Sequence, residues 1–167
     1  MEQQFQCFVG VDWADKKHDV AVLGPSGTKL GERVFENSGE GLEALSLWIT
    51  SFEKNPSLVA VGIEKPDGPV VETLMERGHE VYSVNPKQLD RFRDRFSPAG
   101  VKNDRLDALV LADSLRTDMP LFRKLEVPDP EVLVIREWSR MTEALMKHRN
   151  RLRSQFRSQL TRYYPQM

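Results

Sequence analysis

Hydrophobic positions in the first half of the chain form short apolar runs separated by polar turns and one helical pattern. The segment FQCFVGVDW (residues 5–13) is rich in β-forming residues and predicts a buried strand. Residues 17–37 predict two more strands around the turn Gly-Pro-Ser-Gly. Apolar residues at positions 42, 45, 48, 49 and 52 predict an amphipathic helix that ends at Asn55-Pro56. The continuous run LVAVGIE (58–64) predicts a central strand.

The second half continues this alternation and then becomes helical. It predicts, in order, a helix over 68–77, a strand over 79–84, a helix from Pro86 to about 97, a helix that contains Asp104 and Asp107, and a long helix over 131–163. The order β-β-β-α-β-α-β-α-α is typical of an α/β fold in which an antiparallel meander and β-α-β crossovers form a mixed sheet flanked by helices.

Composition excludes several classes of protein. Hydrophobic residues make up 40% of the 167, and no stretch of 18 apolar residues occurs, so we expect no membrane-spanning helix and no membrane partner. The N-terminus lacks the pattern of a signal peptide, which favours a cytoplasmic location. Three scattered histidines and one cysteine exclude a Cys/His zinc cluster and a disulfide framework.

Charge is divided unevenly along the chain, although the net charge is only −1. Residues 136–167 hold eight Lys or Arg against two Glu, whereas residues 1–135 hold 16 basic and 23 acidic residues. The last helix also carries apolar residues at mostly three-, four- or seven-residue steps, which we call the apolar seam: Ile135, Trp138, Met141, Leu145, Leu152, Phe156, Leu160 and Tyr163. Such spacing resembles a coiled coil and predicts pairing through residues 131–164.

Three arginines lie on another face of the same helix at steps of four. This arginine stripe consists of Arg149, Arg153 and Arg157. Two interpretations stay open: a solvated face of a packing helix, or a phosphate-binding stripe for RNA or DNA.

Four carboxylates are the candidate chemistry. Asp12 and Glu64 each follow a buried apolar strand, where an isolated carboxylate is costly, and in open sheets sites form beyond such strand ends. Asp104 and Asp107 share one helix face because they are three residues apart. One interpretation of this pair is structural, since acidic residues in a first turn complement the helix dipole and Asn103 or Asp104 could be the N-cap. The other is a metal site: four carboxylates without histidine suit two Mg²⁺ or Mn²⁺ ions, which would offset their repulsion.

Several stretches together resemble one family. They are VGVDWADKKHDVAVL, VGIEKPDGPVVETL, YSVNPKQLDRFRDRFSPAGVKNDRLDALVLADSLRTD and LRSQFRSQLTRYYPQ. Over residues 7–165 the chain is similar to the N-terminal half of the DEDD transposases of the insertion-sequence-110 family, which includes the Piv-type invertases. Their catalytic, metal-binding tetrad maps onto Asp12, Glu64, Asp104 and Asp107. Where many members have Ala-Thr-Gly after the glutamate, this chain has Lys-Pro-Asp-Gly.

The resemblance implies a ribonuclease H-like fold similar to RuvC and an RNA-guided DNA recombinase, with DNA and a guide RNA as partners. The apolar seam separately predicts a homo-oligomer, a dimer or tetramer, through residues 131–164. With the proline-punctuated segment MPLFRKLEVPDPE as a linker, we expect a division into a catalytic domain (1–120), a linker (121–130) and a basic helix (131–167). In the family, this helix leads to a serine-bearing domain. Without that serine domain, we expect residues 1–167 not to recombine DNA. Lys102 and Arg105 flank the aspartate pair and either contact the scissile phosphate or screen the acids.

Two other functions compete with this interpretation. The chain could be a non-catalytic module that binds RNA or DNA and dimerises through its basic helix. An actin-like or sugar-kinase ATPase shares the strand-hairpin start, but those proteins usually place glycines after the first aspartate to admit phosphates. Trp13-Ala14-Asp15 follow Asp12 here, which argues against the ATPase.

Overall fold

The structure is a computed structural model that describes residues 5–96, 104–126 and 129–164, with residues 104, 105, 130 and 133 described by their backbone only. The chain divides into two compact units, residues 1–125 and 126–167. The first unit contains every strand of the described residues, and the described part of the second unit contains one long helix.

The first unit alternates strands and helices in the predicted order. Its elements are β1 (Cys7–Trp13), β2 (Lys17–Leu23), β3 (Lys29–Glu36), α1 (Gly39–Thr50), β4 (Val59–Ile63), α2 (Pro69–Glu76), β5 (Glu80–Ser83), α3 (Pro86–Phe96), α4 (Asp104–Asp118) and β6 (Arg123–Lys124). Local signals set several boundaries. Ser38 caps α1 by accepting a hydrogen bond from the Gly41 amide, and Gly68 precedes α2 with a φ of 107°, a conformation that favours glycine.

The strands form one mixed sheet in the order β3-β2-β1-β4-β5-β6. The hairpin strands β1 and β2 are antiparallel and pair Asp12 with Asp19, whereas β1 and β4 are parallel and pair Val11 with Ile63. Strands β4 and β5 are also parallel, so the apolar run of β4 is central, as its continuous hydrophobicity predicts.

Helices cover both faces of this sheet, each over its own apolar cluster. On one face, α1 and α2 pack through residues such as Leu45, Ile49 and Leu74 against the odd-numbered residues of β1 and β4. On the other face, α3 and α4 pack through residues such as Phe92 and Leu111. Because strand side chains alternate between faces, each strand contributes to both clusters.

Helix α4 lies unusually close to the sheet at Gly10. A Cβ atom on Gly10 would stand 1.9 Å from the Ala108 carbonyl oxygen, so only glycine permits this approach. At the other end of α4, Arg116 lies 3.1 Å from the Cβ position of Gly27, in the turn between β2 and β3. This turn is near the start of β1, because Leu23 at the end of β2 pairs with Phe8. Helix α4 therefore begins at the edge of the sheet where β1 ends.

The second unit contains α5 (Pro130–Tyr163), a helix of 34 residues. It begins at a cap in which the Asp129 side chain accepts a hydrogen bond from the Glu131 amide. Apolar-seam residues such as Trp138 and Phe156 are 72% and 66% exposed within this chain. The seam thus presents large apolar side chains to its surroundings.

The predicted α/β class and its mixed sheet flanked by helices are confirmed. One segment differs from expectation, because part of the predicted linker belongs to the sheet. Arg123–Lys124 pairs antiparallel with β5, and the neighbouring Phe122 and Leu125 are buried. A strand of two residues is too short for a periodic pattern to reveal. The predicted division at 1–120, 121–130 and 131–167 stays a prediction.

Candidate functional site

The ends of β1 and β4 bring two predicted carboxylates together. Since Val11 pairs with Ile63, Asp12 and Glu64 occupy the next position on two adjacent parallel strands, on the sheet face that α4 covers. Both line an open cavity of about 430 Å³, together with Trp13, Lys65, Pro66 and Pro86. Asp12 and Glu64 therefore lie together at one edge of the sheet.

Asp107 lies at the same edge because α4 begins there. Its side chain is buried, at 6% exposure, and Asp107 Oδ1 accepts a hydrogen bond from Arg93 Nε at 2.5 Å. Arg93 belongs to α3, and its Nη1 donates a second hydrogen bond to Asp90 Oδ1. The carboxylate is thus paired with a guanidinium group that the sequence analysis did not assign.

The electrostatics of Arg93 connect it to Glu64 as well. Partial burial alone would lower the pKa of Arg93, but the hydrogen bond to Asp107 and the charges of Asp107, Asp90 and Glu64 outweigh it. The pKa of Arg93 is consequently raised above its usual value. Arg93 therefore stays charged and supplies positive charge between Asp90 of α3, Asp107 of α4 and Glu64, the residue after β4.

The other residues predicted around the aspartate pair are described only in part. Asp104 is the first residue of α4 and Arg105 the second, and the side chains of both lie outside the described residues. Lys102 lies outside them altogether. Because Asp104 is the first residue of α4 and not the residue before it, the N-cap position falls on Asn103, which lies outside the described residues. The role of Asp104 in a tetrad stays a prediction.

Two further residues at this edge were missed by sequence reasoning. Asp19 is 4% exposed and is the cross-strand partner of Asp12, so both carboxylates point to the same face of the sheet. Its signal in the sequence is a charge directly before the apolar residues Val-Ala-Val-Leu of β2. Lys17 Nζ lies 3.3 Å from Asp19 Oδ2. The second residue is Lys65, whose Nζ lies 3.7 Å from the centroid of the Trp13 ring.

The donor set partly fits a divalent metal. Carboxylate oxygens suit Mg²⁺ and Mn²⁺, and Asp12 and Glu64 line one cavity. Within residues 5–96, 104–126 and 129–164, however, no group of three or more His, Cys, Asp or Glu is arranged to hold an ion. Asp12 and Glu64 thus line the cavity, and Asp107 is hydrogen-bonded to Arg93.

The arginine stripe lies on α5 and is exposed along its length. Arg149 donates to the side chain of Asn150 at 3.2 Å, and Arg157 lines a shallow depression with Ser154, Ser158 and Thr161. Exposed guanidinium groups beside hydroxyl groups can bind phosphate oxygens.

None of the helices in the described part of the chain has an apolar stretch long enough to traverse a bilayer.

The architecture defines the structural class of the first unit. The chain is similar to T. thermophilus RuvC, solved in complex with a Holliday junction substrate, with a TM-score of 0.51 and 16% sequence identity. The match covers 72% of this chain and 99% of the RuvC chain. The fold is therefore ribonuclease H-like, of the RuvC type, as predicted.

Sequence comparison identifies the family. The DEDD_Tnp_IS110 model, described as "Transposase", matches residues 9–165. The "Putative transposase y4uE" of Sinorhizobium fredii is 52% identical over 167 residues, and the "Mini-circle putative transposase for IS117" of Streptomyces coelicolor is 33% identical over 165. The chain belongs to this family of DEDD transposases.

The coverage of these relatives is unequal. The matches span 99% and 98% of this chain but only 46% and 40% of the relatives. The chain therefore corresponds to about half the length of the curated proteins it matches.

Proposed function

We propose that residues 1–125 act as the metal-dependent catalytic domain of a DNA transposase or recombinase that cuts and exchanges DNA strands. The observation that carries this proposal is the meeting of Asp12 and Glu64 at the ends of adjacent strands, beside the start of α4. Family membership and the RuvC-type fold support it.

The carboxylates would supply the ligands of the site. Asp12 and Glu64 would hold Mg²⁺ or Mn²⁺, in a pair of ions completed by Asp104 and Asp107. Divalent ions, when bound, stabilise the charge that develops on a phosphodiester during its cleavage. The chain itself orients these carboxylates, because Asp12 is fixed in the sheet and α4 is held against it at Gly10. Lys65, on the same cavity, provides a positive charge for a phosphate oxygen.

The first test measures metal binding through stability. Ligand at a hundredfold excess over its Kd stabilises a folded protein by about 2.7 kcal/mol, and a protein of this size gains about 2–4 °C in Tm per kcal/mol. Mg²⁺ or Mn²⁺ should therefore raise the Tm by several degrees, and Asp12→Asn or Glu64→Gln should remove most of the rise. Glu43→Gln, an exposed position on α1, is the matched control. An equal rise in Tm in the wild type and all three variants would contradict a metal site at Asp12 and Glu64.

The second test measures cleavage. A four-way DNA junction is the first substrate to use, because the structurally similar RuvC was solved with a Holliday junction substrate. Metal-dependent nicks that disappear in Asp12→Asn support the catalytic domain. Junction binding without nicks, and without any metal response, supports the alternative of a non-catalytic binding module.

The basic helix extends this proposal to partners. The arginine stripe would bind the phosphates of DNA or of a guide RNA, and the apolar seam would pair α5 with the same helix of a second copy as a dimer or tetramer. The exposure of Trp138, Met141 and Phe156 favours pairing, since contiguous large apolar surfaces mark interaction sites. The proposal of a guide RNA is tested with the full chain, by measuring its binding to a structured RNA from the non-coding end of the genetic element.

A further inference from the structure

The contact between α3 and α4 places a cation on a predicted metal ligand. Arg93 Nε lies 2.5 Å from Asp107 Oδ1, and the Asp107 side chain is almost completely buried. A buried carboxylate is costly unless a charged or hydrogen-bonding partner compensates it. In the structure, Arg93 is that partner.

Arg93 is anchored for this contact from its own helix. Its Nη1 donates to Asp90 Oδ1 at 2.5 Å, and the neighbouring Phe92 is buried against α4 and Phe122. The guanidinium is a planar fork, so one group can hold Asp107 and Asp90 at the same time. Its charge also interacts favourably with Glu64.

A divalent ion bound to Asp107 would compete with the Arg93 guanidinium for the same carboxylate. The ion and the guanidinium are both positive, so they repel each other if both stay in close contact with the two oxygens of Asp107. We propose that Arg93 is a positioning residue that holds Asp107 in place while no divalent ion is bound and releases it when the ion binds. This inference rests on the proposed metal-dependent function.

The exchange predicts opposite effects of Arg93 on two measurable quantities. Removing the guanidinium leaves Asp107 buried without its partner, so the metal-free protein should be less stable. The same change removes the competitor of the ion, so metal affinity should increase. A residue with a purely structural role would lower both quantities, because a loosened site binds metal less well.

The experiment compares Arg93→Gln with Arg95→Gln in the full chain. Arg95 lies on the same helix, is more exposed, and pairs with Asp118 at 2.8 Å, away from Asp107. Mn²⁺ affinity is measured by calorimetry and by electron paramagnetic resonance of free Mn²⁺, and Tm is measured without metal. Arg93→Gln should lower the metal-free Tm and bind Mn²⁺ about tenfold more tightly, whereas Arg95→Gln should leave the affinity unchanged. Arg93→Lys keeps the charge but loses the fork, so its affinity should fall between those of wild type and Arg93→Gln.

Nuclear magnetic resonance of the wild-type chain supplies a readout that needs no variant. The Arg93 Nε–H signal should shift as Mg²⁺ is titrated, because its hydrogen bond to Asp107 is broken. An unchanged signal at saturating Mg²⁺ would overturn the exchange even if Arg93→Gln fails to fold.

The outcomes also separate this inference from the proposed function. Metal binding by wild type with equal or weaker binding by Arg93→Gln overturns the exchange alone. Absence of metal binding in both proteins overturns the exchange and the metal-dependent function together. Tighter binding by Arg93→Gln with a shifted wild-type signal supports both.

Discussion

The close contact between α4 and β1 predicts that Gly10 tolerates no larger residue. In Gly10→Ala, the new Cβ atom would lie 1.9 Å from the Ala108 carbonyl oxygen and 2.6 Å from the Ala112 amide nitrogen, against 3.4–4 Å for ordinary contact. Both atoms are helix backbone and cannot rotate away. Helix α4 must therefore move from the sheet by about 1.5 Å, which loosens the packing of its whole apolar face.

The magnitude follows from the cost of overpacking. Forcing one extra methyl group into a packed core costs about 1–3 kcal/mol, occasionally more. A rigid backbone contact places Gly10→Ala at or above the upper value, a Tm decrease of about 6–12 °C at about 2–4 °C per kcal/mol. Gly62→Ala is the graded comparison, because its nearest atom, the Leu111 carbonyl oxygen, is 3.3 Å away, and its cost should be about 1 kcal/mol.

The assay is thermal unfolding followed by circular dichroism, with and without Mg²⁺. Gly39→Ala is the control, since no atom lies within 4 Å of its Cβ position. Gly10→Ala should also lose more of the Mg²⁺ response than Gly62→Ala, because displacement of α4 separates Asp107 from Asp12. A Gly10→Ala protein as stable as Gly39→Ala would refute the inference that glycine is required for this helix–sheet contact.

Three further predictions concern the arginine stripe, the apolar seam and the buried histidines. Changing the three stripe arginines to Gln should weaken RNA or DNA binding and reduce its salt dependence by up to about three phosphate contacts. Fluorescence anisotropy at several salt concentrations measures this. An unchanged slope of log affinity against log salt concentration would leave α5 with a packing role only. Leu145→Lys should dissociate the proposed oligomer, measured by light scattering, while the circular dichroism of the ribonuclease H-like unit is kept. An unchanged mass would exclude the seam as the interface. Burial lowers the pKa of His18, which its hydrogen bond to Asn37 offsets only in part, and burial also lowers the pKa of His79. As the pH falls below about 6.5, the unfolded chain therefore binds protons that the folded chain does not, so the free energy of unfolding should decrease and that loss should be complete below the folded-state pKa values. Urea unfolding between pH 7.5 and 5 checks this, and His18→Gln should flatten the dependence.

Much of this protein was determined by local patterns in its sequence. Apolar runs and helical spacing gave the order of strands and helices, because each element buries a face whose period is visible within one segment. Asp12 and Glu64 could be placed at strand ends because each directly follows a buried run. Their meeting at one edge followed from parallel pairing of β1 and β4, which a crossover connection favours.

Only the tertiary structure decided what surrounds those carboxylates. Asp19 faces Asp12 because the hairpin between β1 and β2 has a particular length and register. Arg93 reaches Asp107 because α3 packs on α4 at one angle and position, which no period within either helix records. Strand β6 forms because Arg123 and Lys124 pair antiparallel with the edge of β5. Such contacts join residues distant in sequence, and their geometry is set by the packing of whole elements rather than by local propensity.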